Sequence, residues 1–297
     1  YAYSDKYKKK TLRLGDLLHL DKPHIQSRLK TMLEYKNLEL GGCYHQAPMS
    51  YPALLSWCEK KAEQFAPYIT DTGNYIAAAL SNHQKVVLEA QLGAMRDIDY
   101  GIFPYTSSSS TISAYGPIGA GIPGTLPDHI VGVLKAYSTC VGAGPFTAEK
   151  AMPEKWMESL RKSGGEYGAA TGRPRRVGPF DAVASAYGLK CQNADKIALT
   201  KLDVLSHMDE IPVITSYKLN DEIITEFDPL DDLDSMTPVI QTLPGWNTDI
   251  SKCRKYEELP ENARKYIETL EHLLNHEIQF ISVGAERNQY LTKGEWL

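Results

Sequence analysis

The sequence predicts an α/β fold in which a central, mostly parallel sheet is flanked by helices and accompanied by a small antiparallel hairpin. Two observations favour this class. Short apolar runs typical of buried strands alternate with segments of helical periodicity, and each run is followed by glycine or polar residues. Because parallel strands end at one edge of their sheet, we expect ligand-binding loops along that edge.

Helical periodicity comes first along the chain. Apolar residues at three-and-four spacing predict helices over His24–Asn37 and about Pro52–Tyr68. The apolar run Lys85–Ala90 is then expected to be a buried parallel strand that leads into a ligand loop. Residues 101–125 are too polar, and too rich in Gly, Pro, Ser and Thr, for a core element. A further helix is predicted over about Asp128–Tyr137.

Strands and helices continue to alternate in the second half. A helix is predicted from about Phe180, followed by a core strand over Ile197–Thr200. Period-two alternation on both sides of Asn220–Asp221 predicts a hairpin formed by residues 213–219 and 222–226.

An amphipathic helix over Pro260–Leu274 and a last strand over Ile278–Ser282 end the pattern. We therefore expect one α/β domain over residues 1–297, with a helical part over 1–80 and a sheet core with ligand loops over 81–297. The helical part opens with a basic patch of Lys6, Lys8, Lys9, Lys10 and Arg13. Because the chain starts at Tyr1 without methionine, the domain is expected to be incomplete at its N-terminus.

Composition excludes several classes of protein. Hydrophobic residues make up 42% and charged residues 23%, which is ordinary for a soluble globular protein. A net charge of −5 argues against nucleic acid or an anionic membrane as the main partner. Five scattered cysteines without a CxxC pair predict reduced thiols in a cytoplasmic protein, with neither a disulfide framework nor a zinc site.

Lys201-Leu202-Asp203 follows the predicted strand 197–200. A carboxylate there can accept hydrogen bonds from N1–H and the exocyclic amine of guanine, and the lysine stem can lie over the ring. The spacing resembles the guanine-binding motif of GTPases. A surface ion pair is the more common explanation of such a tripeptide.

Arg173, Arg175 and Arg176 lie within four positions of a glycine-containing loop. Their planar guanidinium groups suit carboxylates or phosphates. Because uncompensated arginines this dense are costly to bury, the loop is either solvated or anion-binding.

Residues 97–111 carry a dense row of hydroxyl groups, and Val141–Pro145 forms a second glycine-rich turn. Together they suit a nucleoside monophosphate, although hydroxyl-rich loops are more commonly exposed turns. Neither segment has the Rossmann or Walker glycine pattern.

Taken in chain order, these segments resemble one family, the adenylosuccinate synthetases. Residues 97–105 (DIDYGIFPY) are similar to its DIDHGTYPY, and 135–146 (KAYSTCVGAGPF) to its KAYSTRVGAGPF. Residues 171–176 (TGRPRR) resemble its TTGRRRR, and 243–246 (LPGW) its MPGW. Residues 199–205 (LTKLDVL) are identical to the family form. Matching blocks extend from Tyr3 to about Arg287.

The resemblance implies a P-loop-NTPase-like architecture and a cytoplasmic, homodimeric ligase of de novo AMP biosynthesis. Its reaction joins L-aspartate to IMP through 6-phosphoryl-IMP, with GTP as co-substrate and Mg²⁺ as cofactor, and gives adenylosuccinate, GDP and phosphate. The family's phosphate loop, catalytic base and catalytic acid are expected upstream of Tyr1, so no catalytic residue or metal ligand is assigned here. This chain alone is expected to be inactive. A non-catalytic nucleotide-binding module derived from the family is the alternative.

The resemblance also assigns ligands to residues. The IMP-binding residues would be Lys9 (across a dimer interface), Gln91, Ser107, Val141, Gly142 and Arg173. The aspartate-binding residues would be Thr171, Arg173 and Arg175. The GTP-binding residues would be Arg175, Lys201, Asp203, Ser282 and Gly284.

Several positions depart from the family pattern. Lys9 replaces an arginine, Leu92 stands where the family has glutamine, and Ala170, Pro174 and Ala285 replace Thr, Arg and Pro. Gln91 lies one position before the family's glutamine. Such changes can alter affinity for aspartate or IMP.

Overall fold

The computed structural model describes residues 1–168, 172–294 and 296 of the chain. It comprises two compact units. The first unit contains Tyr1–Val87 and Ile118–Pro123, and the second contains Leu88–Pro117 and Gly124–Leu297.

The first unit is helical. Its helices are α1 (Ala2–Lys8), α2 (Pro23–Tyr44), α3 (Tyr51–Phe65) and α4 (Thr72–Ser81). A proline in the first turn of α2 and of α3 fits a position where no backbone N–H is needed. The side chains of Ser50 and Asp71 cap α3 and α4 by accepting backbone N–H bonds. The predicted helices 24–37 and 52–68 are thereby confirmed, the first being longer than expected and the second ending in a short 3-10 turn.

The second unit is built on a four-stranded sheet in the order β1–β5–β9–β10. Its strands are β1 (Val131–Lys135), β5 (Lys196–Thr200), β9 (Phe280–Ser282) and β10 (Tyr290–Thr292). The first three run parallel and β10 is antiparallel. Ile197, Leu199 and Ile281 are completely buried, as expected where both faces of a parallel sheet are covered.

Two further sheets complete the second unit. A short antiparallel pair joins β2 (Ser138–Cys140) to β3 (Arg176–Gly178). The other sheet contains β4 (Phe180–Asp181), β6 (Glu210–Leu219), β7 (Glu222–Ile224) and β8 (Thr237–Pro244). Asn220 and Asp221, between β6 and β7, both have positive φ (48° and 70°), the conformation that tight hairpin turns favour. The predicted hairpin is confirmed.

A short helix, α5 (Tyr115–Gly119), begins in the second unit. The other helices described in this unit are α6 (Glu154–Gly164), α7 (Ala182–Gln192) and α8 (Glu261–Leu274). The apolar stripe of α8 is buried against the core, which confirms the amphipathic helix predicted there. The predicted fold class is confirmed as well: an α/β protein with a mostly parallel sheet, flanking helices and an antiparallel hairpin. Within the described residues, no helix has the length and apolar character to cross a membrane.

The strand predicted over Lys85–Ala90 is wrong. This segment has no regular structure and no strand partner among the described residues, and Val87 is 89% exposed. An apolar run becomes a strand only where a neighbouring backbone satisfies its hydrogen bonds.

The helix predicted over Asp128–Tyr137 is also wrong, because β1 occupies its centre. A Cβ at Gly132 would lie 2.5 Å from a side-chain carbon of Leu189, so glycine allows β1 to approach α7 closely. Helix α6, conversely, was not predicted.

A buried carboxylate gives the second unit a testable pH dependence. Asp181 caps α7 by accepting from the Ala184 N–H at 3.0 Å, and it accepts from the Tyr217 hydroxyl at 2.7 Å. Burial raises the pKa of Asp181 to about 6, above its ordinary value of 3.8. Because the folded-state pKa lies above the unfolded value, protonated Asp181 makes its full contribution to the free energy of unfolding below about pH 4. This contribution is lost as the pH rises through 6.

We therefore expect Asp181→Asn to remove part of the pH dependence of stability. Relative to this variant, the native protein should lose about 2–3 kcal/mol of unfolding free energy between pH 4 and pH 7. Chemical denaturation of both proteins across this range measures the difference. A constant difference between them would contradict the assignment to Asp181.

Candidate functional site

Three parallel strands end side by side in the second unit. Lys135 is the register partner of Thr200 in β1 and β5, and Leu199 is the partner of Ile281 in β5 and β9. The segments that follow β5 and β9 therefore leave the same edge of the sheet. This edge carries the predicted guanine-binding residues, which are Lys201, Asp203, Ser282 and Gly284.

Local backbone geometry fixes the position of Asp203. Lys201 has a positive φ of 62° and turns the chain from β5 into a 3-10 helix over Leu202–Leu205. Leu202, Val204 and Leu205 are buried and anchor this helix, whereas Asp203 is half-buried. Burial raises the pKa of Asp203 and the nearby Asp249 adds to the effect, while Lys201 opposes it. A partly desolvated carboxylate of this kind is well suited to accept N–H donors from a ligand.

The loop after β9 is held by Ser282 and Gln289. The Ser282 hydroxyl donates to the Gly284 carbonyl at 2.9 Å, and the Val283 N–H donates to the Gln289 carbonyl at 2.9 Å. A Cβ at Gly284 would lie 2.2 Å from the Gln289 amide oxygen. These bonds fix the loop, and Gln289 leaves no room for a side chain at Gly284.

The arginine loop begins beside this edge. The Arg175 N–H donates to the Glu166 carbonyl at 2.9 Å, and the Gly168 N–H donates to the Arg173 carbonyl at 2.8 Å. The Arg173 side chain is exposed and that of Arg175 is half-buried. The predicted aspartate-binding Thr171 and the replaced position Ala170 lie outside the described residues.

Glu166, at the base of this loop, is completely buried. Its Oε1 accepts from Lys135 Nζ at 2.9 Å and from the Tyr137 hydroxyl at 2.7 Å, and its Oε2 accepts from Arg175 Nη1 at 2.9 Å. Lys201 Nζ lies 3.5 Å from Oε1. Arg175 of the arginine loop and Lys201, at the strand end predicted to bind guanine, thus share one carboxylate.

Electrostatics agree with this geometry. Burial alone would raise the pKa of Glu166, but hydrogen bonds from Lys135 and Tyr137, with the Lys135 and Arg175 charges, hold it at about 2. The pKa of Lys135 is nevertheless lowered by burial, with Lys201 and Arg175 adding repulsion. The two directions are consistent because three cations stabilise one carboxylate but repel one another.

The hydroxyl-rich loop and the glycine-rich turn are joined by Arg96. Its guanidinium donates to the carbonyls of Val141 (3.0 Å), Ala143 (3.2 Å) and Tyr105, and to the Cys140 sulfur (2.8 Å). The Arg96 carbonyl accepts from the Ser107 N–H at 2.8 Å.

The turn is fixed from its other side as well. Arg176 donates to the carbonyls of Gly142 (3.3 Å) and Gly144 (2.7 Å) and forms an ion pair with Glu149. Gly144 has a φ of 107°, and a Cβ there would lie 2.6 Å from the Tyr105 ring. Ser107, Val141 and Gly142 therefore belong to one hydrogen-bonded assembly, which β3 connects to Arg175.

Two further predicted residues are exposed. Lys9 belongs to the first unit and has the left-handed conformation that ends α1. Gln91 precedes Leu92, whose φ is 73°.

Glu166, Lys135 and Arg96 were not predicted as site residues. A lone carboxylate next to three arginines was a usable signal for Glu166. For Arg96 the signal was Cys140, which stands where the resembled motif carries arginine; in the structure the Arg96 guanidinium contacts the Cys140 sulfur.

The described part of the chain contains no group of three or more His, Cys, Asp or Glu side chains that could hold a metal ion. We assign no magnesium ligand and no metal-dependent step to these residues.

Comparison with known proteins identifies the family to which this chain is similar. The family model described as adenylosuccinate synthetase matches residues 1–291. An adenylosuccinate synthetase of Carboxydothermus hydrogenoformans is 40% identical over 289 residues, which cover 97% of this chain and 67% of the relative. One of Staphylococcus saprophyticus is 36% identical over 297 residues and covers 99% and 69%.

A solved structure gives the same result. The fully ligated adenylosuccinate synthetase of Plasmodium falciparum superposes with a TM-score of 0.85 at 32% identity, covering 98% of this chain and 68% of that one. The chain thus spans about two thirds of the length of these relatives. Similarity across almost all its residues, in sequence and in fold, shows that the chain belongs to the adenylosuccinate synthetase family.

Proposed function

We propose that the protein containing this chain catalyses the GTP-dependent ligation of L-aspartate to IMP. In the first step, O6 of IMP attacks the γ-phosphorus of GTP, forming 6-phosphoryl-IMP and releasing GDP. In the second, the aspartate amine attacks C6 and phosphate leaves, giving adenylosuccinate. Family membership supports the reaction, and the Glu166 cluster, which joins the arginine loop to the ends of the parallel strands β1 and β5, is the observation that carries it.

The guanine of GTP is proposed to bind at the ends of β5 and β9. Asp203 accepts from guanine N1–H and from the exocyclic amine, Lys201 covers the ring, and Ser282 and Gly284 line the other side. The half-buried carboxylate and the shared sheet edge support this role.

Aspartate is proposed to bind at the arginine loop. Thr171, Arg173 and Arg175 hold its carboxylates, and Arg175 also contributes to the GTP site. Two guanidinium groups on one loop can each donate two parallel hydrogen bonds to a carboxylate.

IMP is proposed to bind along the Arg96 assembly. Ser107 contacts its phosphate, Val141 and Gly142 pack on its ribose, and Gln91 and Arg173 complete the site. Lys9 supplies a cation to the neighbouring subunit of a homodimer. The catalytic base, the catalytic acid and the Mg²⁺ ligands are assigned to no residue of this chain.

A cytoplasmic enzyme is proposed because all five cysteines are free thiols. The test uses the protein expressed from its complete reading frame, incubated with IMP, GTP and aspartate. We expect a change in ultraviolet absorbance as adenylosuccinate forms, with one phosphate released per product and no product when aspartate is omitted. Guanine-nucleotide binding without conversion would instead favour the non-catalytic module.

Arg96 gives a prediction for the IMP site. Arg96→Leu removes the donors that join the glycine-rich turn to the hydroxyl-rich loop, so we expect the KM for IMP to rise about fivefold to tenfold. The KM for GTP should change less than about twofold, since the guanidinium bonds of Arg96 lie within the glycine-rich turn and the hydroxyl-rich loop. Steady-state kinetics measures both. Arg96→Lys keeps the charge but not the fork and should give an intermediate KM for IMP. An unchanged KM for IMP would exclude Arg96 from this role.

A further inference from the structure

The completely buried acidic side chains in the described residues include Asp97 and Glu166, and they differ in their partners. Asp97 accepts from the N–H groups of its own loop and from the hydroxyl of Ser110. Glu166 instead accepts from the cationic groups of Lys135 and Arg175 and from one hydroxyl. The first arrangement shapes a loop, whereas the second brings side chains from separate segments onto one charge.

The cations around Glu166 come from three places. Lys135 ends β1, Lys201 follows β5, and Arg175 belongs to the arginine loop. The Lys201 ammonium is also fixed by donating to the Gly164 carbonyl at 2.6 Å. One carboxylate thereby links the proposed dicarboxylate subsite to the proposed guanine subsite.

The charge balance indicates more than internal stabilisation. Three cations surround the Glu166 carboxylate, and the nearby Asp203 carboxylate interacts with Lys201, so the positive charges outnumber the negative ones by one. The side chains of Lys135, Arg175 and Lys201 remain 29%, 34% and 39% exposed, while Glu166 is 0% exposed. The carboxylate therefore lies beneath a layer of cations whose outer sides face solvent. A purely structural buried ion pair would be balanced one to one and closed to solvent, because an uncompensated charge is costly to bury.

We propose that Glu166 is a positioning residue that couples the dicarboxylate-binding loop to the guanine-binding strand end. This inference rests on the proposed function and adds a residue to it. Glu166 touches neither ligand; it holds Arg175 and Lys201 at a fixed separation. Without its charge the three cations repel one another, and both proposed subsites lose their geometry together.

The main experiment compares Glu166→Gln with the native protein, both expressed from the complete reading frame. We expect the KM values for GTP and for aspartate each to rise about tenfold or more, since charge-assisted hydrogen bonds to both subsites are lost. The KM for IMP should change less than about twofold. A general loss of structure would instead lower kcat and leave this selective pattern absent.

Glu271→Gln is the matched control. Glu271 is also a largely buried carboxylate (14% exposed) paired with a lysine, Lys293. It lies at the opposite edge of the same sheet, where it accepts from the Ile278 N–H before β9 begins. We expect this variant to leave the three KM values unchanged. An equal rise of the GTP and aspartate KM values in both variants would overturn the proposal.

Tyr137→Phe keeps the test decisive if Glu166→Gln does not fold. It removes the hydroxyl bond to Oε1 without changing any charge at neutral pH, and it should raise the two KM values together by about twofold to threefold. A rise in only one of them would contradict the coupling.

Failure of the proposed function is recognised separately. If the native protein forms no adenylosuccinate, calorimetric titration with GDP and with L-aspartate replaces kinetics. An affinity of Glu166→Gln about tenfold weaker for both ligands then supports the inference. Affinities equal to those of the native protein overturn it.

Discussion

Asp203→Asn is expected to raise the KM for GTP about tenfold to hundredfold while raising the KM for ITP by less than about fivefold. GTP presents two donors, N1–H and the exocyclic amine, to the carboxylate. The amide of asparagine offers one oxygen, so one guanine donor loses its partner. ITP lacks the exocyclic amine and loses less.

The position of Asp203 makes this a large effect. Its carboxylate is half-buried on a 3-10 helix whose neighbouring leucines are buried, so it cannot easily move to compensate. A hydrogen bond lost in a partly desolvated site weakens binding more than one lost in water.

Steady-state kinetics with each nucleotide, at saturating IMP and aspartate, measures the two KM values. Asp209→Asn, at an exposed aspartate that precedes β6, is the control and should change neither. If Asp203→Asn raises the KM for GTP and the KM for ITP equally, the carboxylate does not accept a hydrogen bond from the exocyclic amine of guanine.

Arg173→Leu should raise the KM for aspartate about tenfold to hundredfold, because charge-assisted hydrogen bonds to a carboxylate contribute about 1.5–3 kcal/mol. The KM for GTP should change less than about threefold. Arg173 is exposed, and Arg175 is the arginine of this loop that contacts Glu166, which Lys201 also contacts. Because Lys201 belongs to the proposed guanine site, we expect the loss of Arg173 to weaken aspartate binding more than GTP binding.

Initial rates across an aspartate series provide the measurement. Arg173→Lys keeps the charge and loses the planar fork, so its KM should lie between those of the native protein and the leucine variant. Arg254→Leu removes an exposed arginine whose guanidinium donates to the Ser251 and Cys253 carbonyls, and it should leave the kinetics unchanged. An unaltered aspartate KM in Arg173→Leu would remove Arg173 from the site.

The Glu166 cluster offers a physical reason for the order of these effects. Arg175 and Lys201 share one buried carboxylate, so a change at either position is felt by the other. Asp203 is proposed to act on GTP alone, and Arg173 on aspartate and IMP but not on GTP. Effects confined to those ligands at these two residues, with a joint effect on GTP and aspartate at Glu166, would together support the arrangement.

Sequence alone determined those elements whose cause is local. The β6–β7 hairpin depends on Asn220 and Asp221, which accept positive φ readily, and α8 depends on a stripe of apolar residues within one helix. Strand β5 was predicted for the same reason, since Ile197–Thr200 is a short apolar run that Lys201-Leu202-Asp203 follows directly. Family motifs likewise lie within single segments.

Tertiary structure decided everything that depends on a distant partner. Lys85–Ala90 resembles a strand but has none to pair with among the described residues, while Val131–Lys135 became a strand because Thr200 and its neighbours supply the ladder. Glu166 lies 31 positions from Lys135 and 35 from Lys201, and Arg96 lies 44 from Cys140. No local pattern encodes such separations. They arise because parallel strands bring remote segments to one edge, where buried charge must find its counterions.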